Sequence, residues 1–498
     1  MNVNPITRLD YPDPDVIRVE DTYYMVSTTM HFMPGCEILQ SFDLVHWEHA
    51  TYVYETLDHT DAQQLKSGQN IYGQGMWAAS LRYHEGRFYI CFVANDTRKT
   101  YLYTSEKIDG PWKKQLIEGF YHDGSLLFDE DGRNYIVYGN DEIWITELNE
   151  DLTAPKKGGL HRLLVSDHKN PELGYEGSHI QKINGYYYIF LVHSLRDRWM
   201  RTEACFYSDS LEGEFTGGDV LCDDRGYCGQ GVAQGGIVDT PDGKWYAMLF
   251  QDSGAVGRIP ILVPVTWKDH FPFFGQNGHV PEEIEVHSTR PEYIYQPLVG
   301  SDDFCNGLLP RWQFNHDPDP RYYHLDALQG TYTITTREVC TELTQAVNTL
   351  TQRMSYPSCA AEVTVDASAL KEGDVAGLCA LQGCYAAVGI TKHHGKYEVL
   401  MLDKKEDGIL DMTERTVVES HQMDFRLEAD FCNMKDEARC YYRVNKGDWL
   451  PIGTVHKLYF KLDHFTGCRF GLFCYAAEET GGSACFRDFK YYDVDEIS

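Results

Sequence analysis

Three carboxylates of this chain share one register relative to a recurring tyrosine, a spacing that could serve acid–base chemistry. Asp123 lies twelve residues before Tyr135, Glu176 twelve before Tyr188, and Asp13 eleven before Tyr24. Trp77 and Gln234 take the equivalent place twelve residues before Tyr89 and Tyr246. If the tyrosines mark repeated units, these five side chains converge. Like charges held close resist simultaneous ionisation, so at least one carboxyl is expected to keep its proton towards neutrality. A protonated and an ionised carboxyl are the two parts of general acid–base catalysis. A tryptophan beside them offers a flat apolar face to a sugar ring. Taken singly, each acid reads as an ordinary turn or surface residue; the shared register is what gives the functional reading weight.

The elements that must position these residues are visible as a repeat. A turn followed by an aromatic-rich strand begins at Glu20, Glu85, Asp131, Asn184 and Asp242. Four of the five turns carry Glu-Gly, Asp-Gly or Asn-Gly, dipeptides that accept positive φ in tight hairpins. The marker tyrosines are spaced by about 46 to 65 residues, the length of one propeller blade. Helical periodicity is nearly absent. The expected fold is therefore all-β: a five-bladed β-propeller over residues 1–285, whose innermost strands surround a central channel. An open sandwich of five similar hairpins is the alternative. Residues 286–300, with Arg290-Pro291 and Gln296-Pro297, read as a linker. Residues 301–498 contain many short alternating strands, such as Thr331–Thr335 and Ala361–Asp366, and are expected to form a β-sandwich.

Composition narrows the partners. The chain has 498 residues, 43% hydrophobic, with a formal net charge of −31. A surface of that sign repels phosphate backbones and anionic lipid, so neither nucleic acid nor membrane is an expected partner, and a neutral substrate is easier to accept. The 15 cysteines are scattered, odd in number and without a C-x-x-C pair, which reads as reduced thiols in a cytoplasmic protein. Residues 1–10 contain no apolar run of the kind a secretion signal needs. Phe128-Asp-Glu-Asp-Gly132 faintly resembles a calcium loop but coincides with a repeat turn, and the 20 histidines show no ligand spacing. No nucleophile elbow, phosphate loop or H-E-x-x-H motif is present.

Five ordered motifs carry a family resemblance: Tyr11-Pro-Asp-Pro-Asp-Val-Ile-Arg-Val19, Met76-Trp-Ala-Ala-Ser-Leu81, His122-Asp-Gly-Ser-Leu-Leu-Phe-Asp129, Tyr175-Glu-Gly-Ser-His179 and Gly257-Arg258. Together they resemble glycoside hydrolase family 43, which contains β-xylosidases and α-L-arabinofuranosidases. In the second domain Trp312–His316 and Asn348–Arg353 are similar to the sandwich of its β-xylosidase-like members. The resemblance implies Asp13 as general base, Glu176 as general acid, and Asp123 as the residue that tunes and orients the acid. It implies Arg258 as a ligand of substrate hydroxyls, Trp77 as a stacking platform, and Phe465 as an aromatic residue contributed by the second domain, which closes one side of the pocket. Gln234 replaces a histidine that helps many members hold a central metal ion, so no metal or other cofactor is expected and calcium is doubtful. Met30 replaces an aromatic residue in the expected pocket wall. Homo-oligomerisation is left open.

Carboxylates facing each other across a channel suit the separation of about 6.5–9.5 Å that an inverting mechanism uses. The expected activity is exo-acting, inverting release of terminal β-1,4-linked xylose from xylo-oligosaccharides, with terminal arabinofuranose cleavage from arabinoxylan or arabinan fragments as the alternative. A non-catalytic carbohydrate-binding propeller is the reading from a different class. A retaining five-bladed fructan hydrolase lacks its Asn-Asp-Pro-Asn signature here.

Overall fold

The computed structural model describes residues 2–493; residues 494–498, the end of the expected second domain, lie outside the described residues. Five antiparallel sheets of four strands each succeed one another from Asp15 to Phe274, the innermost strand of the fifth being interrupted. The five-bladed propeller is thus present. In each blade the expected turn joins the innermost strand to the second, as between Glu176–Ile183 and Tyr186–Ser194. Glu20, Glu85, Asn184, Gly132 and Gly243 supply positive φ in these turns. The marker tyrosines fall on the second strands, Tyr24 opposite Ile17 and Tyr188 opposite Gln181, so the repeat is one of register as well as of sequence.

Between blades the layers are apolar. Val26, Ile38, Leu81, Ile90 and Phe92 form one such layer, with Tyr101 and Tyr103 stacked on Phe92 at 5.3 and 5.8 Å. Burial of each such side chain contributes on the order of 1.5–3 kcal/mol. The channel below the expected site is crossed by polar side chains. Arg82 of blade two donates to Asp15 of blade one (2.8 Å) and to Ser125 Oγ of blade three (2.7 Å). It also donates to the carbonyls of Leu126 (2.8 Å) and Ile180 (3.2 Å), the latter on blade four. His179 approaches the other oxygen of Asp15 at 3.0 Å. Burial opposes the charge on Asp15, but Arg82 and His179 outweigh it and hold the carboxyl below its ordinary range.

The second region is a sandwich of an eight-stranded and a seven-stranded antiparallel sheet. The division between the two regions is not clean. Phe32–Met33, from within blade one, forms the edge strand of the eight-stranded sheet, pairing with Phe314 and Asn315. The expected linker does not hang free either. Thr289 N donates to Phe42 O (2.8 Å), Gln296 N donates to Glu48 (2.8 Å), and Arg290 bonds Asp21 (2.9 Å), which lays residues 289–296 against blade one. Among the described residues, helix is confined to short 3₁₀ turns.

Three histidines meet where the regions join. The His31 ring lies 4.8 Å from that of His316 and 5.1 Å from that of His464. Burial is the main cause that holds all three uncharged, His464 down to about 3 and the others well below the ordinary imidazole value. Their mutual repulsion and the nearby Arg469 and Lys404 add to it. The sign follows from linkage: the unfolded chain takes up these protons below about pH 6.5 and the folded one does not. Their stabilising contribution is complete above that pH and is lost as pH falls. Replacing His31 with Phe is expected to remove about 1.4 kcal/mol of stability loss per pH unit below 6.5. Urea unfolding of both proteins at pH 7.5 and 5.5 checks this, and parallel losses in the two would refute it.

Candidate active site

The five register residues arrive at one end of the channel through an unusual backbone. Asp13 (φ 52°), Ala78 (30°), Asp123 (48°), Gly177 (65°) and Gln234 (65°) all take left-handed conformations where the innermost strands begin. The pairing slips at Trp77–Ser80 and at Glu176–His179. Bulges of this kind re-aim a side chain out of the pleat, and a non-glycine residue held left-handed at the same place in four blades, with Gly177 in the other, is a mark of a site. Asp13, Trp77, Asp123, Glu176 and Gln234 all line one cavity of about 610 Å³, together with Arg258 and Phe465.

Asp13 is held on both oxygens. Arg258 Nη1 donates to Oδ1 at 2.9 Å, and Thr28 Oγ1 donates to Oδ2 at 2.6 Å while accepting from Ala78 N. Asp123 Oδ2 accepts from Gly177 N at 2.9 Å. Asn140 donates to Glu176 Oε2 at 2.9 Å. His122 Nε2 stands 3.5 Å from Asp123 and 3.6 Å from Glu176. Burial, followed by the charges of Glu176 and Asp13, pushes Asp123 up to about 6 in spite of His122. Asp123, set against burial's opposing effect, is also the main cause that raises His122 to about 9. A carboxylate oxygen of Asp123 lies within 4.8 Å of one of Glu176. The Asp123 side chain is 6% exposed and that of Glu176 is 19%, so Glu176 is the member able to reach a bound ligand.

The sandwich completes the cavity. Phe465 lies 5.3 Å from Trp77, ring to ring, and its face is 4.4 Å from the Arg258 guanidinium carbon. Phe460 and Leu462 line the same wall. Arg258 is itself placed by both regions: its N–H donates to Asp10 Oδ1 (2.7 Å), whose Oδ2 accepts from Gly467 N (2.8 Å). Gly257 before it has φ 105°, and a Cβ there would stand 2.3 Å from Asp10 Oδ1, so only glycine fits. Ala255 is gripped by Asp436, Gln382 and Cys468 of the sandwich.

Met30 departs from expectation. It is 1% exposed, pairs through its backbone with Met76, and is not among the lining residues, because the left-handed turn at Met30 carries it into the interior. His122, Asn140, Arg201 and Asp252 line the cavity without having been expected there. Adjacency to Asp123 could have suggested His122; the other three share no register across blades.

Two groups of residues bear on whether a calcium ion could be held. Asp15 in the channel is engaged by Arg82 and His179. Ligand atoms of His122, Asp123 and Glu176 lie within 4.8 Å of one another, a set of one imidazole and two carboxylates, whereas calcium takes six or more oxygens.

A family profile described as glycosyl hydrolases family 43 matches residues 3–272, and one described as the beta xylosidase C-terminal concanavalin A-like domain matches residues 301–492. The fold is similar to that of a bifunctional GH43-CE protein of Bacteroides eggerthii, at 42% identity and a TM-score of 0.93, covering 100% of this chain and 64% of that one. This chain therefore spans less than two thirds of that protein's length. It is 27% identical to a beta-xylosidase of Formosa agariphila, over 99% of this chain and 89% of the relative. It is 24% identical to a xylosidase/arabinosidase of Butyrivibrio fibrisolvens, over 99% of each.

His122→Gln removes the cation that opposes proton retention by the acid pair. The alkaline limb of the kcat/KM–pH profile on a chromogenic glycoside is expected to move upward by about one unit. An unmoved limb would exclude His122 from the electrostatics of the pair.

Proposed function

The chain belongs to glycosyl hydrolases family 43, a glycosidase family, and from that premise we propose that it removes terminal β-1,4-linked xylose from xylo-oligosaccharides by single-displacement, inverting hydrolysis. The observation that carries this reading is one cavity in which an arginine-paired carboxylate, Asp13, and two closely placed carboxyls, Asp123 and Glu176, come from different blades under an aromatic wall from the sandwich. Asp13 is the base. With Arg258 and Thr28 donating to it, it takes a proton from a water that attacks the anomeric carbon. Glu176 gives its proton to the departing glycosidic oxygen as that C–O bond breaks. Asp123, close beside it, keeps a proton available to the pair and fixes Gly177.

Trp77 and Phe465 offer apolar faces to the sugar ring, and Nε and Nη2 of Arg258 are buried without a protein partner, which suits hydroxyl oxygens. Closure by the sandwich supports exo action, because a walled pocket admits a chain end and an open groove admits its middle. The name of the Butyrivibrio relative supports arabinofuranose release as a second activity of the same pocket.

NMR of the first-formed sugar should show the anomer opposite to the substrate's; retention would end the single-displacement reading. Glu176→Gln is expected to lower kcat on xylobiose by about 10²–10⁴-fold and to affect an activated aryl xyloside far less. Equal losses on both would remove Glu176 from the acid role. Comparing p-nitrophenyl β-xyloside with p-nitrophenyl α-L-arabinofuranoside decides the sugar, xyloside being the faster substrate under this reading.

A further inference from the structure

We propose that Arg201 and Asp252 form a clamp for a vicinal diol of the bound sugar, a substrate-binding pair on the side of blades four and five. Arg201 opens the strand Arg201–Ser208 of blade four, and Asp252 ends the strand Trp245–Asp252 of blade five, opposite Arg258. Both line the catalytic cavity. Arg201 is 7% exposed. Its Nε donates to Asp252 Oδ2 at 2.9 Å, and this is the one hydrogen bond of its guanidinium among the described residues. The guanidinium carbon is 5.4 Å from the Trp199 ring and 5.2 Å from the Phe250 ring, which restricts its plane. Two terminal nitrogens are therefore held in place at a cavity wall with no protein acceptor.

Those donors are not among the buried unpartnered atoms, as Nε and Nη2 of Arg258 are, and open onto the cavity, where a ligand or water can accept from them. The charge around it selects the ligand. Asp13, Asp123, Glu176 and Asp252 face the same cavity as Arg201, Arg258, His122 and Lys461, and Lys461 is paired with Glu406 outside it, so each cation already has an acid beside it and an added anion would meet four carboxylates. A neutral ligand with adjacent oxygen acceptors and O–H donors fits instead: guanidinium N–H groups donate to two neighbouring hydroxyl oxygens, and Asp252 accepts from one of them. This inference rests on the glycosidase reading and adds that the sugar must present an unsubstituted diol to blades four and five.

The test is a cycle between enzyme and substrate. Wild type and Arg201→Gln are assayed on the better aryl pentoside and on its monodeoxy analogues. The deoxy analogue lacking a clamped hydroxyl should lose about ten-fold or more in kcat/KM on the wild type and little on the variant. Arg201→Lys, which keeps the charge but not the fork, should lose the same coupling and serves if the Gln variant does not fold. Additive losses for every analogue, or full coupling in Arg201→Lys, would overturn the clamp. A wild type inert on both pentosides would instead fail the hydrolase reading. The same cycle read by calorimetric binding of xylose and arabinose, with their deoxy forms, then decides the clamp by the same criterion.

Discussion

The contact between the Arg258 guanidinium and the Asp13 carboxylate, 2.9 Å long and almost wholly buried, is the interaction on which the rest of the site depends. Removing one partner of a buried ion pair typically costs about 3–5 kcal/mol, because the other charge is left uncompensated. Thr28 satisfies the second carboxylate oxygen, and Phe465 and Phe250 flank the guanidinium. Neither residue is placed by its own strand alone. Asp10 joins Arg258 to Gly467 of the sandwich, and the sandwich grips Ala255 three residues before Arg258. The pair is therefore a product of the domain interface.

The interface is built to be fixed. A strand from blade one completes a sandwich sheet, and Arg469 of the sandwich lies 3.5 Å over the ring of Phe32 in that strand. Arg353 of the sandwich is paired with Glu37 of blade one at 2.9 Å, both buried. Such contacts cannot be exchanged for water at low cost. Gly467, two residues after Phe465, is bonded to Asp10, which ties the aromatic wall to the propeller whose two carboxyls must be aligned with one sugar.

Within the pocket, environment separates acids of the same chemistry. Asp13 faces a permanent cation; Asp123 is buried beside another carboxyl and carries a raised pKa in spite of its imidazolium neighbour; Glu176 shares that neighbour but opens onto the cavity. Three carboxyls thereby sit in three different electrostatic environments, the arrangement from which separate acid and base roles can arise. Deeper in the channel Arg82 plays a structural part, linking blades one, three and four from blade two.

The blades were legible because their determinants are local. Positive-φ dipeptides at hairpin turns and an aromatic at a constant place in the next strand act over a few residues, and the same constancy located Asp13, Trp77, Asp123, Glu176 and Gln234 at one mouth of the channel. Arg258 and Phe465 were reached through motif resemblance, and both line the pocket. Met30 was misplaced because its orientation follows from a left-handed turn and a bridge to Met76, neither of which leaves a periodic trace. The sequence by itself determined the repeat, the strands and the register of the acids. Tertiary structure alone decided which cation meets which carboxylate, that Phe32–Met33 crosses into the other domain, and that Arg201 stands with free donors at the cavity wall. Those outcomes join residues as far apart as Asp10 and Gly467, and side-chain contacts over such separations are set by how folded surfaces pack.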